Sequence, residues 1–514
     1  MYDQQITPPD SQPSYHGCRT ARELWNQLEP NKAEALRRAE RAASLTIPGL
    51  FMLQGQNTDK DAAGRLWQSI GALLVNNLVT RLMMTLFAPS RPFIRLDASG
   101  EVEKGAEARG VTSSDLRQIL ALAERKTTRS LDKHALRPKL HLLLKHLVVV
   151  GNVLAILDQK NKLIRALSLR YYCVKRDVAG KVLSAVIRER VCQDELPMAM
   201  QGTTNEKEVD YFILVHRKAS TEKFEVTHWV NETLIPDMTR RWSEADCPYR
   251  VLAWDVSDEA NYGTSQVSDF EGDFMAAEDC SKALIVAAVL ASEFRWILDP
   301  ASGMDVAEFE GTPNGGVMPG RPEHVQLINA AREVAGAIEA QRAVLTDVTN
   351  RLGRAFVMTS AVMRDAERVT AEEVRQVATE LETGLGGGYS RLAVDLQLPL
   401  AKFLMALEDV DPTGYGEGDD KIEITVVTGL DALSRNGDLE NLKAWVGDIM
   451  QLASAPEEIT DPLKLRDLYN DLASPRGIDA SKYLESEEEL AAKKENRARQ
   501  AAAARGVQIG EPQQ

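Results

Sequence analysis

The sequence predicts an α+β fold that is predominantly helical, and four stretches carry that prediction. Between residues 166 and 231, short runs rich in Val, Ile, Tyr and Phe alternate with turn residues, which is the texture of an antiparallel meander. Two later stretches, 270–298 and 329–352, instead repeat small or apolar residues at helical spacing. A fourth, 367–400, joins a helix-start signal to an apolar stripe and then breaks it.

Taken in order, the first helix is expected where Thr58 and Asp59 cap a face carrying Leu66, Trp67, Ile70, Leu73, Leu74, Leu78 and Leu82; Pro89 and Pro92 forbid its continuation. A second helix begins near Ser113, and a third, over 137–147, runs into the apolar VLAIL. ALSLRYYCV, KVLSAVIRERV after the turn at 177–180, VDYFILVHRK and KFEVTHWVN then read as four strands of the meander, completing an α+β body to about residue 262.

Ser268 and Glu271 form a capping box that opens the helix at 270–298, and its alanines, among them Ala283, Ala287 and Ala291, permit close approach of a neighbour. After the Gly- and Pro-rich run at 299–322, a further helix shows Val334, Ile338, Gln341, Leu345, Val348 and Leu352, gaps of four and three that make a heptad seam with one polar member. At 1.5 Å per residue these helices are about 44 Å and roughly 35 Å long. Gly353, Thr359 and Ser360 interrupt the pattern next. Thr370 and Glu373 form a second capping box ahead of Val374, Val377, Leu381 and Leu385. Gly386, Gly387 and Gly388, then Pro399, weaken the helix beyond Leu385, so a long helix with a bend is expected. KIEITVV reads as a short strand, the region around Leu439 to Leu472 as short helices, and the charged, alanine-rich tail from Glu485 as an exposed segment that buries little.

Composition bounds the rest. The chain has 514 residues, 44% of them apolar and 27% charged, enough for about two to four globular domains. Five scattered cysteines without CxxC spacing predict reduced thiols. The start MYDQQITPPDSQPS has no secretory pattern. The longest apolar run, 141–157, contains Lys145, His146 and Asn152 and is short for a membrane span, so a soluble protein without a membrane partner is expected. A net charge of −15 argues against a sequence-reading nucleic-acid binder. It suits either simple solubility or a conduit that must not grip the polyanion it passes.

Five segments, in this order, carry a resemblance: GALLVNNLVTRLMMTLFAPSRPFIRL, YGTSQVSDFEG, VMPGRPEHVQLIN, the stretch ERVTAEEVRQVATELETGLGGGYSRLAVDLQLPL, and TGLDALSRNGDLENL. In their order and spacing the chain resembles, over about residues 21–445, the portal, or head-to-tail connector, proteins of short-tailed double-stranded DNA bacteriophages.

That resemblance implies a wing over 1–267, a first stem helix at 268–298, a clip at 299–328, a second stem helix at 329–352, a tunnel loop at 353–369, a long kinked wing helix at 370–415, a crown at 416–484 and a charged tail at 485–514. It implies a homo-oligomeric ring of twelve copies, with Ala283, Ala287, Ala291, Ile338, Gln341 and Leu345 at stem contacts. In the tunnel loop, Arg354, Arg364 and Arg368 become candidates for contact with the DNA backbone, or else pair with Asp365 and Glu367. Met358 and Met363 line a constriction or fill core gaps. Implied partners are the duplex itself, the terminase packaging motor, major capsid and scaffolding proteins, tail adaptors and internal core proteins. The implied place is the portal vertex of the virion, after assembly in the host cytoplasm.

Chemistry is not signalled. There is no phosphate-cradling GxxxxGK[ST] loop, and Gly384 with the three glycines after it sits within a helical pattern rather than after a strand. His141 and His146, five apart, point about 140° away from each other on a helix. No catalytic residue, metal site or cofactor is expected. The alternatives are a coat or scaffolding protein and, further off, a catalytic packaging subunit.

Overall fold

A computed structural model describes residues 15–52, 66–87, 92–97, 113–196, 207–218, 223–292, 294–300, 305–313, 315–317, 321–329, 331–358, 381, 385, 391–410, 423–426 and 447. The chain divides into two compact units, one of Met1–Val369 with Gln376–Thr428, the other of Thr370–Arg375 with Gly429–Gln514. Apart from Gly447, the described residues belong to the first unit. The short crown helices, the charged tail and the capping box at Thr370 lie outside them.

Helix α1 (Ala21–Leu28) starts where the Thr20 hydroxyl accepts from the Glu23 amide, at 3.2 Å, and the Glu23 carboxylate accepts from the Arg19 amide, at 2.7 Å. Its Trp25 meets Phe212 edge to face. Lys32, almost fully buried, lies 4.1 Å from the centre of the Trp25 ring and donates to the carbonyls of Arg170 and Tyr172. Helix α2 (Ala33–Leu45) buries Ala35, Ala39, Ala42 and Ala43.

Helix α3 (Ile70–Leu86) differs from the expected first helix. It begins at Ile70, with Leu66 and Trp67 before it, because the Gln68 side chain acts as its cap: the amide oxygen accepts from Gly71 and the amide nitrogen donates to the Leu45 carbonyl. Its core stripe is Leu74, Leu78 and Leu82 with Val75 and Val79, whereas Leu73 faces out. Strand β1 (Ile94–Asp97) follows, and helix α4 (Ser113–Lys133) supports it through the Glu124 carboxylate, which accepts from the Leu96 amide.

Helix α5 (Arg137–Val150) ends at Gly151, whose φ of 78° and bonds to the carbonyls of His146 and Leu147 close the last turn. Strand β2 (Asn152–Asp158) is buried along nearly its whole length. Strand β3 (Leu163–Ser168) pairs with it, and then the expected single strand over 166–174 splits. A tight turn at Leu169–Tyr171 separates β3 from β4 (Tyr172–Arg176), and the two strands belong to different sheets. Strands β5 (Val182–Cys192), β6 (Glu208–Arg217), β7 (Phe224–Val230) and β8 (Thr233–Trp242) continue from β4 as an antiparallel five-stranded meander. Strand β9 (Tyr249–Ala253) returns to flank β2.

The chain then enters a short helix, α6 (Gln266–Asp269), and a long one, α7 (Glu271–Ser292). The Ser265 hydroxyl caps α6, accepting from the Ser268 amide, while Ser268 turns its hydroxyl to Ser265, so the expected Ser268 cap sits one turn earlier. Strand β10 (Phe294–Leu298), helix α8 (Val306–Gly311), strand β11 (Val325–Asn329) and helix α9 (Ala331–Ala355) complete this excursion. After Leu381 and Leu385, a π-helical turn at Ala393–Gln397 leads into α10 (Leu398–Leu407), so the helical ladder is irregular just before Pro399, which supplies no amide; Gly386 to Gly388 lie outside the described residues. Strand β12 (Glu423–Val426) closes antiparallel on β1.

A Cβ at Gly151 would lie 2.5 Å from the Thr264 carbonyl oxygen, in backbone already left-handed. Gly151→Ala is expected to cost about 2–4 kcal/mol in denaturant unfolding. Burial also pulls His146 and His228 down to about 4, from an ordinary value of 6.5. Between those pH values the unfolded chain binds protons that the folded chain refuses, so stability falls as pH drops. The expected slope is as much as about 1.4 kcal/mol per pH unit for each of the two imidazoles, flattening below the folded value, as an acid titration of the unfolding midpoint measures.

Candidate functional site

The excursion from α7 to α9 is an antiparallel hairpin. At 1.5 Å per residue α7 is about 33 Å long and α9 about 38 Å, and the strands add roughly 17 Å beyond them. The expected first helix therefore ends six residues early. Phe294 to Leu298 pair in register with Asn329 to Val325, and a β-branched and aromatic run that finds such a partner is better satisfied as strand than as more helix. At the far end, Trp296 meets Phe309 of α8 edge to face, and the His324 ring lies 3.2 Å from the Asp299 carboxylate.

At the root, the hairpin is held by side chains that local patterning does not reveal. Phe274 of α7 packs edge to face on Phe356, just past α9, at a centroid distance of 5.5 Å, and Phe270 joins them at 6.2 Å. Gln266 spans the joint: its oxygen accepts from the Trp254 indole at 3.2 Å and its amide donates to the Ala355 carbonyl at 3.0 Å. Arg351 of α9 holds both carboxylate oxygens of Asp273, at 3.2 and 2.6 Å, which keeps that carboxyl below its usual range. The approach is set from the body, where the Asn152 side chain both accepts from and donates to the Gly263 backbone, at 2.8 and 2.9 Å.

Between root and tip, the heptad seam is real. Along α9, Ile338, Gln341 and Leu345 are half-buried and Val348 and Leu352 fully buried, while the residues between them are exposed or half-exposed. On α7, Ala283, Ala287 and Ala291 are likewise half-buried within a single chain. These six residues, expected at contacts between copies, are thus each partly covered within one chain, in which α7 and α9 pack on each other. What α7 leaves outward is larger: Ile285, Val286, Val289 and Leu290 are all about half exposed, with Val289 at 56%. At spacings of one, three and four they form one continuous face over two turns.

Helix α9 runs through Gly353, where an interruption was expected. It stops at a Schellman turn, in which Val357 donates to the Arg354 carbonyl and Met358 to that of Gly353. Val357 takes the left-handed position, φ 54°, which costs a β-branched residue about 1–2 kcal/mol and is offset by burial of its side chain. Arg354 and Met358 are exposed at this end of the hairpin. Met363, Arg364 and Arg368, with Asp365 and Glu367, lie outside the described residues.

One arrangement outside the hairpin looks chemical. The Ser184 hydroxyl lies 2.8 Å from both His16 Nε2 and His216 Nδ1. Ser184 is fully buried, so no substrate reaches it, and the contact pins the N-terminal turn to the five-stranded sheet. Among the described residues no group of three or more His, Cys, Asp or Glu side chains is placed to hold a metal, and none of the helices is long and apolar enough to cross a membrane.

Among known proteins, the family described as bacteriophage head to tail connecting protein matches residues 19–484 of this chain. The portal protein of Pseudomonas phage phiKMV is 32% identical over 95% of this chain and 96% of its own length. The portal protein of Escherichia phage T7 is 30% identical over 91% of this chain and 89% of its own. That of Enterobacteria phage T3 is 29% identical over 95% and 94%.

The root should be the weak point of the hairpin. Phe356→Ala is expected to cost about 3–5 kcal/mol, and hydrogen exchange should show faster opening of amides in the last turns of α9 than in the five-stranded sheet.

Proposed function

Because this chain belongs to the bacteriophage head to tail connecting protein family and is a portal protein, we propose that it works as a closed ring of twelve copies at one capsid vertex, through which double-stranded DNA enters and leaves. The observation that carries this reading is the outward apolar face of α7, Ile285, Val286, Val289 and Leu290, on a rod that its own chain covers on one side only. Such a face is stable in water only against another surface. In a ring of twelve each contact is heterologous, one side of each α7–α9 pair meeting a different side of the next, with a rotation that closes.

In this ring α7 and α9 form the stem, with Ala283, Ala287, Ala291, Ile338, Gln341 and Leu345 at its contacts between copies. Residues 299–328 form the clip, to which β10 adds its five residues. The body before α7 is the wing, and 416–484 are the crown. Arg354 and Met358, followed by Met363, Arg364 and Arg368, face the channel. The protein acts by shape and charge rather than by catalysis and needs no cofactor. The packaging terminase and then the tail adaptors dock on the clip, the coat and scaffolding proteins on the wing, and internal core proteins on the crown. Its place is the virion, after assembly in the host cytoplasm.

Light scattering on the full chain tests the ring. Twelve copies of 56.8 kDa give about 0.7 MDa, and end-on negative-stain images should show a central opening. Val286→Asp with Leu290→Asp should leave a folded monomer, and a compact, solitary wild-type molecule in every assembly buffer overturns the reading.

A further inference from the structure

Outside the hairpin, helix α4 borders a cavity of about 360 Å³ whose opposite wall is Glu408, one residue past α10. Four cations of α4 line it: Arg125, Lys126, Arg129 and Lys133. Arg125, Arg129 and Lys133 recur every fourth residue, so they stand in a row about 6 Å apart along the helix axis. This is a concentrated positive stripe in a chain whose net charge is −15.

The four cations are not equivalent. The Lys133 ammonium lies 2.8 and 2.9 Å from the two Glu408 carboxylate oxygens, and Lys126 donates to the Glu408 carbonyl at 2.6 Å. The two lysines therefore hold the end of α10, and Lys133 keeps the Glu408 carboxyl below its usual range. Arg125 and Arg129 are exposed and make no ion pair among the described residues. Two planar forks, each able to take a phosphate through paired N–H donors, are thus offered beside a cavity whose one carboxylate among the described residues is already neutralised.

We propose that this groove on α4 binds the phosphodiester backbone of duplex DNA, independently of sequence. The lining selects the ligand. Among the described residues it contains no aromatic ring, so unstacked bases of a single strand find no platform there. Leu122 is the one apolar side chain among the described residues that line it, too little for the anchor pockets that hold a peptide. What remains is charge in a row, which reads a backbone and nothing else. The site is separate from Arg354 and the hairpin, since α4 packs on β1 and α10. It rests on the portal reading for the supply of duplex, and gives the acidic body a second place where DNA is held rather than repelled.

The test uses the full chain as it assembles, with a fluorescent duplex of about 30 base pairs titrated over a salt series. For wild type, log affinity should fall linearly with log salt. In Arg125→Ala with Arg129→Ala the slope should be shallower by about 0.9 for each phosphate no longer neutralised, about 1.8 for two, and low-salt affinity should drop on the order of tenfold. Arg125→Lys with Arg129→Lys should keep most of the slope. Because both arginines are exposed and outside any ion pair among the described residues, the alanine variant should match wild type in thermal unfolding and in ring mass, and the lysine variant supplies the comparison if it does not. An unchanged slope in an intact ring overturns the proposal. So does a poly-glutamate probe whose binding needs the arginines while duplex binding does not, because that outcome assigns the groove to an acidic protein. Failure of wild type to form rings counts against the portal reading alone, since the slope difference is read either way.

Discussion

The architecture depends on one joint, where Phe274 and Phe356 lock the start of α7 to the end of α9. Helices of this length gain little from propensity alone, and most of their stability must come from packing. The hairpin has only its own seam over much of its length, so the angle at which it leaves the body is decided at the root. Gln266 makes that decision specific. A buried amide bonded to both the Trp254 indole and the Ala355 carbonyl tolerates little displacement, because either bond broken in a dry site leaves a polar group unpaired.

The body is built to hold that joint still. Gly151 lets the backbone at Thr264 approach to a distance that no side chain permits, and Asn152 closes the gap by bonding Gly263 in both directions. Strand β2, buried along nearly its whole length, therefore supports the approach to α7 directly. Lys32, buried against Trp25, and Ser184, between two histidines, do comparable work at the other end of the body, each tying the N-terminal segment to the meander.

Charge is arranged by the same logic. Many cations in the described part of the chain are engaged locally, as Arg188 and Arg22 are on Asp210, Arg241 on Glu225 and Arg351 on Asp273. Arg354 at the hairpin root and the pair on α4 make no ion pair among the described residues. An acidic protein with a few uncommitted arginines holds a polyanion weakly and in chosen places, since affinity grows with the number of phosphates neutralised.

Much of this was legible in the sequence because it depends on periodicity and on local chemistry. The meander, the two long helices, the heptad seam from Ile338 to Leu352 and the strand at 423–426 all follow from the spacing of apolar residues. The five ordered segments sufficed for the family. Misreadings arose where a distant residue decided a local outcome. Phe294 to Leu298 extend the apolar run of α7 and become strand only because β11 lies opposite. Residues 166–174 look like one strand and serve two sheets. Gln68 caps α3 in place of Thr58. The amino-acid order by itself determined which segments are rods and strands, since those follow from side-chain period. Tertiary structure alone decided which apolar face and which arginines stay without a partner among the described residues, because both depend on what those residues have already used.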